Sequence, residues 1–276
     1  DRLALVGDLR TAIELDRLEL HFQPKLALAD STVTGVEALL RWNDGEHGLL
    51  APSQFLPLAE RAGLGVVLDD WALEHGLRQA LRWRAAGFAW RLNLNVGAAS
   101  LQQPGYARRV AAALDAAGWL AADLELDFTE AALQADPETA QAQLQALHQL
   151  GVRILLDDCG RGDASLGLLR RFPFAAVKLD RDLVVALGRG AGPDAGMAAA
   201  LTTAAHSLGL AVYAEGVEAE NQRAPLAALG CSAWQGFLHC RPLDVASLLA
   251  RAPHPSGRAS APARASPGDR AMIARR

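Results

Sequence analysis

Eight polar side chains, Glu37, Asn95, Asp127, Asp157, Asp158, Lys178, Glu215 and Gln235, stand in or just past short apolar or β-branched runs. A carboxylate left unpaired in a buried strand costs on the order of several kcal/mol, so each acid needs a cation, a donor or a metal. Glu37 lies in "GVEALLRW" (35–42), with Arg41 four residues on. Carboxylates and an amide, with no cysteine or histidine among them, form a hard-oxygen set suited to Mg²⁺ or Mn²⁺. The adjacent Asp157 and Asp158 suit two ions, the arrangement used for in-line phosphoryl displacement. Lys178 suits accepting a proton from an attacking water if nearby cations depress its pKa, or offsetting phosphate charge if they do not. Arg41, always charged and fork-shaped, suits a phosphate. Taken singly, each residue reads as readily as a loop or cap residue, and Glu37 with Arg41 as an ion pair. Strand after strand delivering such a residue to one rim is harder to explain that way.

The elements that must position these residues alternate. "RLNLNV" (91–96), "LELDF" (124–128), "VRILLDD" (152–158), "AAVKLD" (175–180) and "LAVYAEG" (210–216) are strand-like, and each leads into a helical pattern. Repeated strand-then-helix units of this spacing predict a parallel sheet with helices packed outside. So many units in one domain's length favour an α/β fold of the closed (β/α)8 TIM-like type, whose strand ends converge on one mouth. The first strands, "LELHFQPKLAL" and "TVTGVEALL", are joined by a short turn, so the barrel begins with an irregular hairpin.

The bulk numbers narrow the class. The chain has 276 residues, 51% of them hydrophobic, and a net charge of −4, which gives no general nucleic-acid footprint. Cys159, Cys231 and Cys240 lack zinc-like pairing and fit a reducing, cytoplasmic setting. No apolar run approaches the roughly 18 residues of a membrane span. The chain opens on Asp1 rather than methionine, which reads as a piece of a longer protein. Residues 1–17 read as a lead-in helix, 18–250 as the barrel and 251–276 as a disordered basic tail with Arg258, Arg264, Arg270, Arg275 and Arg276. The scattered histidines exclude zinc spacing, no phosphate-binding or nucleophile-elbow loop occurs, and Trp71, Trp83, Trp90 and Trp119 read as packing. A glycosidase would use paired carboxylates, but it leaves Asn95 and Lys178 without a shared purpose.

The motifs "HFQPKL", "GVEALLRW", "LNLNVGAASL", "LELDFTE", "ILLDDCGRG", "VKLDRDLV", "YAEGVE" and "WQGFLHCRP" closely resemble, in order and spacing, the EAL family of bacterial cyclic di-GMP phosphodiesterases. The resemblance runs from about Leu18 to about Leu249. It implies a barrel with an early strand running against the others, two divalent ions, and hydrolysis of cyclic di-GMP to a linear dinucleotide. By it, Glu37, Asn95, Asp127 and Asp157 hold one metal, and Asp157 with Asp158 the second. Lys178 is the proton acceptor or water-orienting group, with Glu215 and Gln235 completing the network. Gln23, Leu39 and Arg41 contact the ligand, and Glu130 anchors the loop after the Asp pair. It also implies a linked upstream sensory or GGDEF-type domain and a homodimer. Two departures stand out. Asp127 is one methylene shorter than the family's glutamate, so a strict Mg²⁺ site needs an intervening water or a looser ion. The loop reads "DDCGRGDASL" where the family has "DDFGTGYSSL", and Arg161 with Asp163 would hold it differently. Retained ligands point to an enzyme; the altered loop points to a weak one or to a cyclic di-GMP receptor.

Overall fold

The runs that alternate or stay apolar become strands, and the Gly- and Pro-punctuated stretches between them become helices and turns. The computed structural model describes residues 2–45, 48–160, 165–190 and 192–252. The chain begins α1 (Arg2–Glu14), β1 (Leu18–Ala27), β2 (Val33–Asn43), β3 (Leu49–Leu50), α2 (Pro52–Arg61), α3 (Gly65–Ala85), β4 (Arg91–Asn95), α4 (Ala98–Leu101) and α5 (Tyr106–Ala117). There follow β5 (Leu124–Thr129), α6 (Glu130–Ala135), α7 (Pro137–Leu150), β6 (Arg153–Cys159), α8 (Ser165–Arg171), β7 (Ala176–Leu179) and α9 (Arg181–Arg189). The last elements are α10 (Pro193–Ser207), β8 (Ala211–Ala214), α11 (Arg223–Ala228), β9 (Ala233–Trp234) and α12 (Val245–Arg251). Local signals set the ends. In α7, Asp136 caps the start by accepting from the Thr139 N–H at 3.1 Å, Pro137 opens the first turn, and Gly151 closes it in the left-handed region.

Eight strands close into a barrel in the order β1-β9-β8-β7-β6-β5-β4-β2, and β2 returns to β1; β3 only extends the free arm of β2. β1 runs antiparallel to both its neighbours, while β2 and β4 to β9 run parallel. The hairpin that opens the barrel is therefore the irregularity expected of it.

Side chains alternate across each strand. Leu92, Leu94, Leu124, Leu126, Ile154, Leu156, Val177, Leu179 and Val212 form one continuous buried core. The positions between them, including Asn93, Asn95, Glu125, Asp127, Arg153, Asp157 and Lys178, take the opposite face, toward the barrel axis. Leu155, Ala176, Tyr213 and Ala233 make a second, small apolar cluster there. Trp83, Trp90 and Trp119 are buried against one another, and Trp71 stacks on His75, so the indoles pack as expected.

The barrel's seam is narrow. β1 meets β9 only through Leu26↔Trp234 and Ala27↔Ala233, and the Phe22↔Leu243 bridge holds the far side. Between them the Gln23 side chain donates to the Cys240 carbonyl at 3.3 Å. The three cysteines are free and buried, and among the described residues no helix is long and apolar enough to cross a membrane.

Candidate functional site

Parallel strands end together, so the last inward side chains of β2, β4, β5, β6 and β7 and the residues just past β8 and β9 meet at one mouth. Asn95 ends β4; Asp127, Asp157 and Lys178 lie within the last residues of their strands; Glu215 and Gln235 follow theirs directly. Glu37 differs from its expected place. It is the fifth residue of an eleven-residue strand, not the end of one. β2 pairs with β4 only over Gly35–Ala38 and then overshoots the rim, so Glu37 still sits where the barrel part of β2 stops.

At the centre of the mouth is Lys178, 1% exposed. Its Nζ donates to Asp127 Oδ2 at 2.6 Å and Glu215 Oε1 at 2.5 Å, with Asp157 Oδ1 at 3.4 Å and Glu37 Oε2 at 3.6 Å. Asn95 Nδ2 donates to Glu37 Oε1 at 2.7 Å, and Gln235 Nε2 donates to Glu37 Oε2 and, at 3.2 Å, to Glu215 Oε1. Two backbone bonds tie the last of these residues together: Gln235 N to the Ala214 carbonyl, and Val217 N to the Gln235 carbonyl. They leave no room beside Gly236, where any Cβ would overlap the Val217 backbone. Asp158 takes a left-handed φ of 53°, and its N–H donates to Asp157 Oδ1 at 2.9 Å.

Arg41 makes no ion pair with Glu37; burial lowers the guanidinium's pKa, and the Glu37 charge only partly offsets it. In a helix residues four apart touch, but in a strand they are about 13 Å apart. Arg41 donates to the Leu40 carbonyl at 2.8 Å, and among the described residues it forms no ion pair. Glu37, Leu39 and Arg41 share one face of β2, with Gln23 opposite Glu37 on β1. Glu130 opens α6, buried. The loop it is expected to anchor, with Arg161, Asp163 and Ala164, lies outside the described residues, as does the basic tail from position 253.

The charges do not balance: four carboxylates face one ammonium. Burial pushes Lys178 down, but Asp127, Asp157, Glu215 and Glu37 outweigh it and hold the ammonium well above its ordinary range. Burial pushes Asp127 up to about 7, with repulsion from Asp157 and Glu37 added and Lys178 pulling the other way. Burial and Asp157 likewise drive Glu215 well above the usual carboxylate range. Glu37 goes the other way: burial raises it, but Lys178 and the bonds from Gln235 and Asn95 prevail.

The donor set fits divalent ions. All donors are hard oxygens, negative charge is in excess, and Gln235 Oε1 is buried with no hydrogen-bond partner. The carboxylates here converge on the Lys178 ammonium, and among the described residues no three of them make a ready cation cage.

Three residues in this region carried no signal that sequence reasoning used. Asn93, Lys25 and Glu125 lie one layer below the mouth, with Arg153 and Tyr213 beside them. On the outside, Asp69 of α3 accepts from the Gly97 N–H at 2.9 Å and Ser100 Oγ at 2.6 Å, bracing the turn that follows Asn95.

A closed barrel with one antiparallel strand and an acidic mouth around a buried lysine defines the class. The EAL domain model matches residues 6–242, and the chain belongs to the EAL domain family. It is 39% identical over 251 residues to the bifunctional diguanylate cyclase/cyclic di-GMP phosphodiesterase MucR of Pseudomonas aeruginosa, covering 91% of this chain and 36% of MucR. It is 40% identical over 247 residues to the cyclic di-GMP phosphodiesterase NbdA of the same organism, covering 89% of this chain and 31% of NbdA. The chain thus spans about a third of the length of these curated relatives. Its fold superposes on the solved PaMucR phosphodiesterase in complex with c-di-GMP with a TM-score of 0.84 at 38% identity, covering 89% of this chain and 99% of that one.

Proposed function

We propose that this domain hydrolyses cyclic di-GMP to a linear dinucleotide with two divalent ions, Mg²⁺ or Mn²⁺. One observation carries the reading: four carboxylates, Glu37 and Asp127 buried and Asp157 and Glu215 partly so, face a single buried lysine in a mouth that also leaves Gln235 Oε1 unpartnered. Buried negative charge in such excess calls for cations, and the ligand named for the similar MucR structure is a phosphodiester.

Glu37, Asn95, Asp127 and Asp157 would hold one ion, and Asp157 with Asp158 the second. When bound there, the ions would offset phosphate charge and make an attacking water more acidic. Gln23 and Leu39 line the approach, and the Arg41 guanidinium, free of an ion pair among the described residues, offers two parallel donors to a phosphate. Hydrolysis forms a bond from the water oxygen to phosphorus and breaks one P–O bond of the ring. The water gives up a proton and the departing oxygen takes one. Lys178 stands at the centre of this exchange. With all four carboxylates turned toward it, it is an ammonium that orients water or phosphate. Acting as a proton acceptor requires Glu37, Asp127 and Asp157 to be drawn off it, with Glu215 and Gln235 keeping its position.

The altered loop and the short Asp127 favour a second reading, a receptor that binds cyclic di-GMP without cleaving it. The test is incubation with cyclic di-GMP and Mg²⁺ or Mn²⁺, with chromatography of the products. Linear dinucleotide that disappears on adding EDTA supports the enzyme; tight binding without product replaces it with the receptor. A cytoplasmic location, a homodimer and a linked upstream sensory or GGDEF-type domain belong to the same proposal, in keeping with relatives about three times as long.

A further inference from the structure

We infer that Asn93, its amide oriented by Lys25, is the positioning residue that aims Asp127 into the site. The inference rests on the metal-site reading above and adds to it. Asn93 is fully buried on β4, two residues before Asn95 and hence on the same inward face. Lys25 Nζ donates to Asn93 Oδ1 at 2.9 Å. A lysine ammonium only donates, so it can only be met by the amide oxygen. The Asn93 NH₂ is thereby turned upward, where Nδ2 donates to Asp127 Oδ1 at 2.6 Å, with the Glu125 carbonyl as a second acceptor at 3.3 Å. Lys25 is itself fixed by its ion pair with Glu125 and by the Tyr213 ring 5.4 Å away.

The consequence falls on Asp127. Its two oxygens are gripped from different layers, Oδ1 by Asn93 below and Oδ2 by Lys178 at the mouth. A short carboxylate with one oxygen tied down can offer only the other to the site. Asn93 thereby gives Asp127 a fixed orientation in place of the reach that a longer side chain would have.

The experiment compares wild type, Asn93→Ala, Asp127→Glu and the double variant Asn93→Ala/Asp127→Glu. The readouts are kcat and KM for cyclic di-GMP and, without substrate, the Mn²⁺ concentration that half-saturates the rise in Tm. Asn93→Ala is expected to lower kcat by roughly 10- to 100-fold, the usual effect of a group behind a metal ligand, with KM within about twofold. Its Mn²⁺ midpoint should rise by about tenfold or more. The double variant should recover most of both losses, because the longer carboxylate needs no tether and fills the space that the amide leaves. Where Asn93→Ala does not fold, Asn93→Ser, which keeps a small donor, should show the same losses in reduced size. Unchanged kcat and Mn²⁺ midpoint in Asn93→Ala, or losses that Asp127→Glu does not relieve, overturn the inference. A wild type that binds Mn²⁺ but never cleaves defeats the phosphodiesterase reading alone, and the Mn²⁺ midpoints then decide the role of Asn93. No Mn²⁺ effect on the wild type overturns both.

Discussion

Two buried lysines divide the barrel interior into layers of opposite charge balance. Lys178, at the mouth, faces Glu37, Asp127, Asp157 and Glu215. Lys25, one layer down, shares the single acid Glu125 with Arg153, whose Nε lies 3.1 Å from Glu125 Oε1. Burial pushes Glu125 up, but Lys25 and Arg153 prevail and hold it below the usual carboxylate range. The lower layer is closed: each oxygen of its acid has a cation. In the mouth, burial and then repulsion among the carboxylates leave Asp127 and Glu215 pushed up, and one lysine does not offset them. Full pairing of its one acid makes the lower layer part of the scaffold. Imbalance makes the mouth a place that gains from an incoming cation or a proton.

The largest effect that tests this contrast is at Glu37. Glu37→Ala should remove turnover to below detection at only a small cost in Tm, because it relieves crowding among like charges while leaving the Asn95 and Gln235 amides without their acceptor. Product chromatography and a thermal melt check the pair of outcomes, and near-normal turnover would break the site assignment. Glu125→Ala should do the reverse. Stripping the one acid from buried Lys25 and half-buried Arg153 is expected to cost about 3–5 kcal/mol, read by urea unfolding. A loss as small as that of Glu37→Ala would erase the distinction between layers. Next in size is the response to metal. Mn²⁺ at a hundredfold over its Kd should stabilise the wild type by about 2.7 kcal/mol and Glu37→Ala by far less. An equal gain in both would move the cation out of the mouth.

The smallest effect lies outside both layers, at Asp69. Burial raises its pKa from 3.8 to about 6, repulsion from Asp70 and Glu60 adds to the rise, and the bonds from Ser100 and the Gly97 N–H oppose it. Tyr106 also faces it, its own pKa raised chiefly by burial and further by Asp69 and Asp70. Between these two pH values the folded chain keeps a proton that the unfolded chain has lost. Stability from this group is therefore complete below about pH 4 and lost as pH rises through about 6. Asp69→Asn should flatten that fall, since an amide oxygen still accepts both bonds. Melts from pH 4 to 8 that slope alike in both proteins would remove the charge from this account.

Much of the mouth was legible in the sequence because its residues contradict their surroundings. Asp127 in "LELDF", Lys178 in "AAVKLD" and Glu37 in "GVEALL" are charges in runs that otherwise belong inside. The lower layer was silent for a physical reason. Asn93 in "RLNLN" looks like the solvent side of an ordinary alternating strand, and its partners Lys25 and Glu125 are 68 and 32 residues away. Only closure of the barrel turns that side inward. The strand before Gln235 was hidden too, since the two residues Ala233–Trp234 are too few to show a period. The Glu37–Arg41 spacing misleads until the element is known, because four residues mean contact on a helix and separation on a strand.

The short β9 has a kinetic consequence. A ring opens where its ladders are shortest, and here β9 makes two such joints, two residues against β1 and two against β8, beside longer ladders such as β5 with β6; the one against β1 closes the ring. Amide protons flanking that joint should exchange with solvent sooner than those of β5, through brief local openings. Gln235 and Glu37 lie on either side of it, joined by a side-chain bond. A ligand that gathers both would act as a suture, slowing exchange along the whole joint even at amides it never touches.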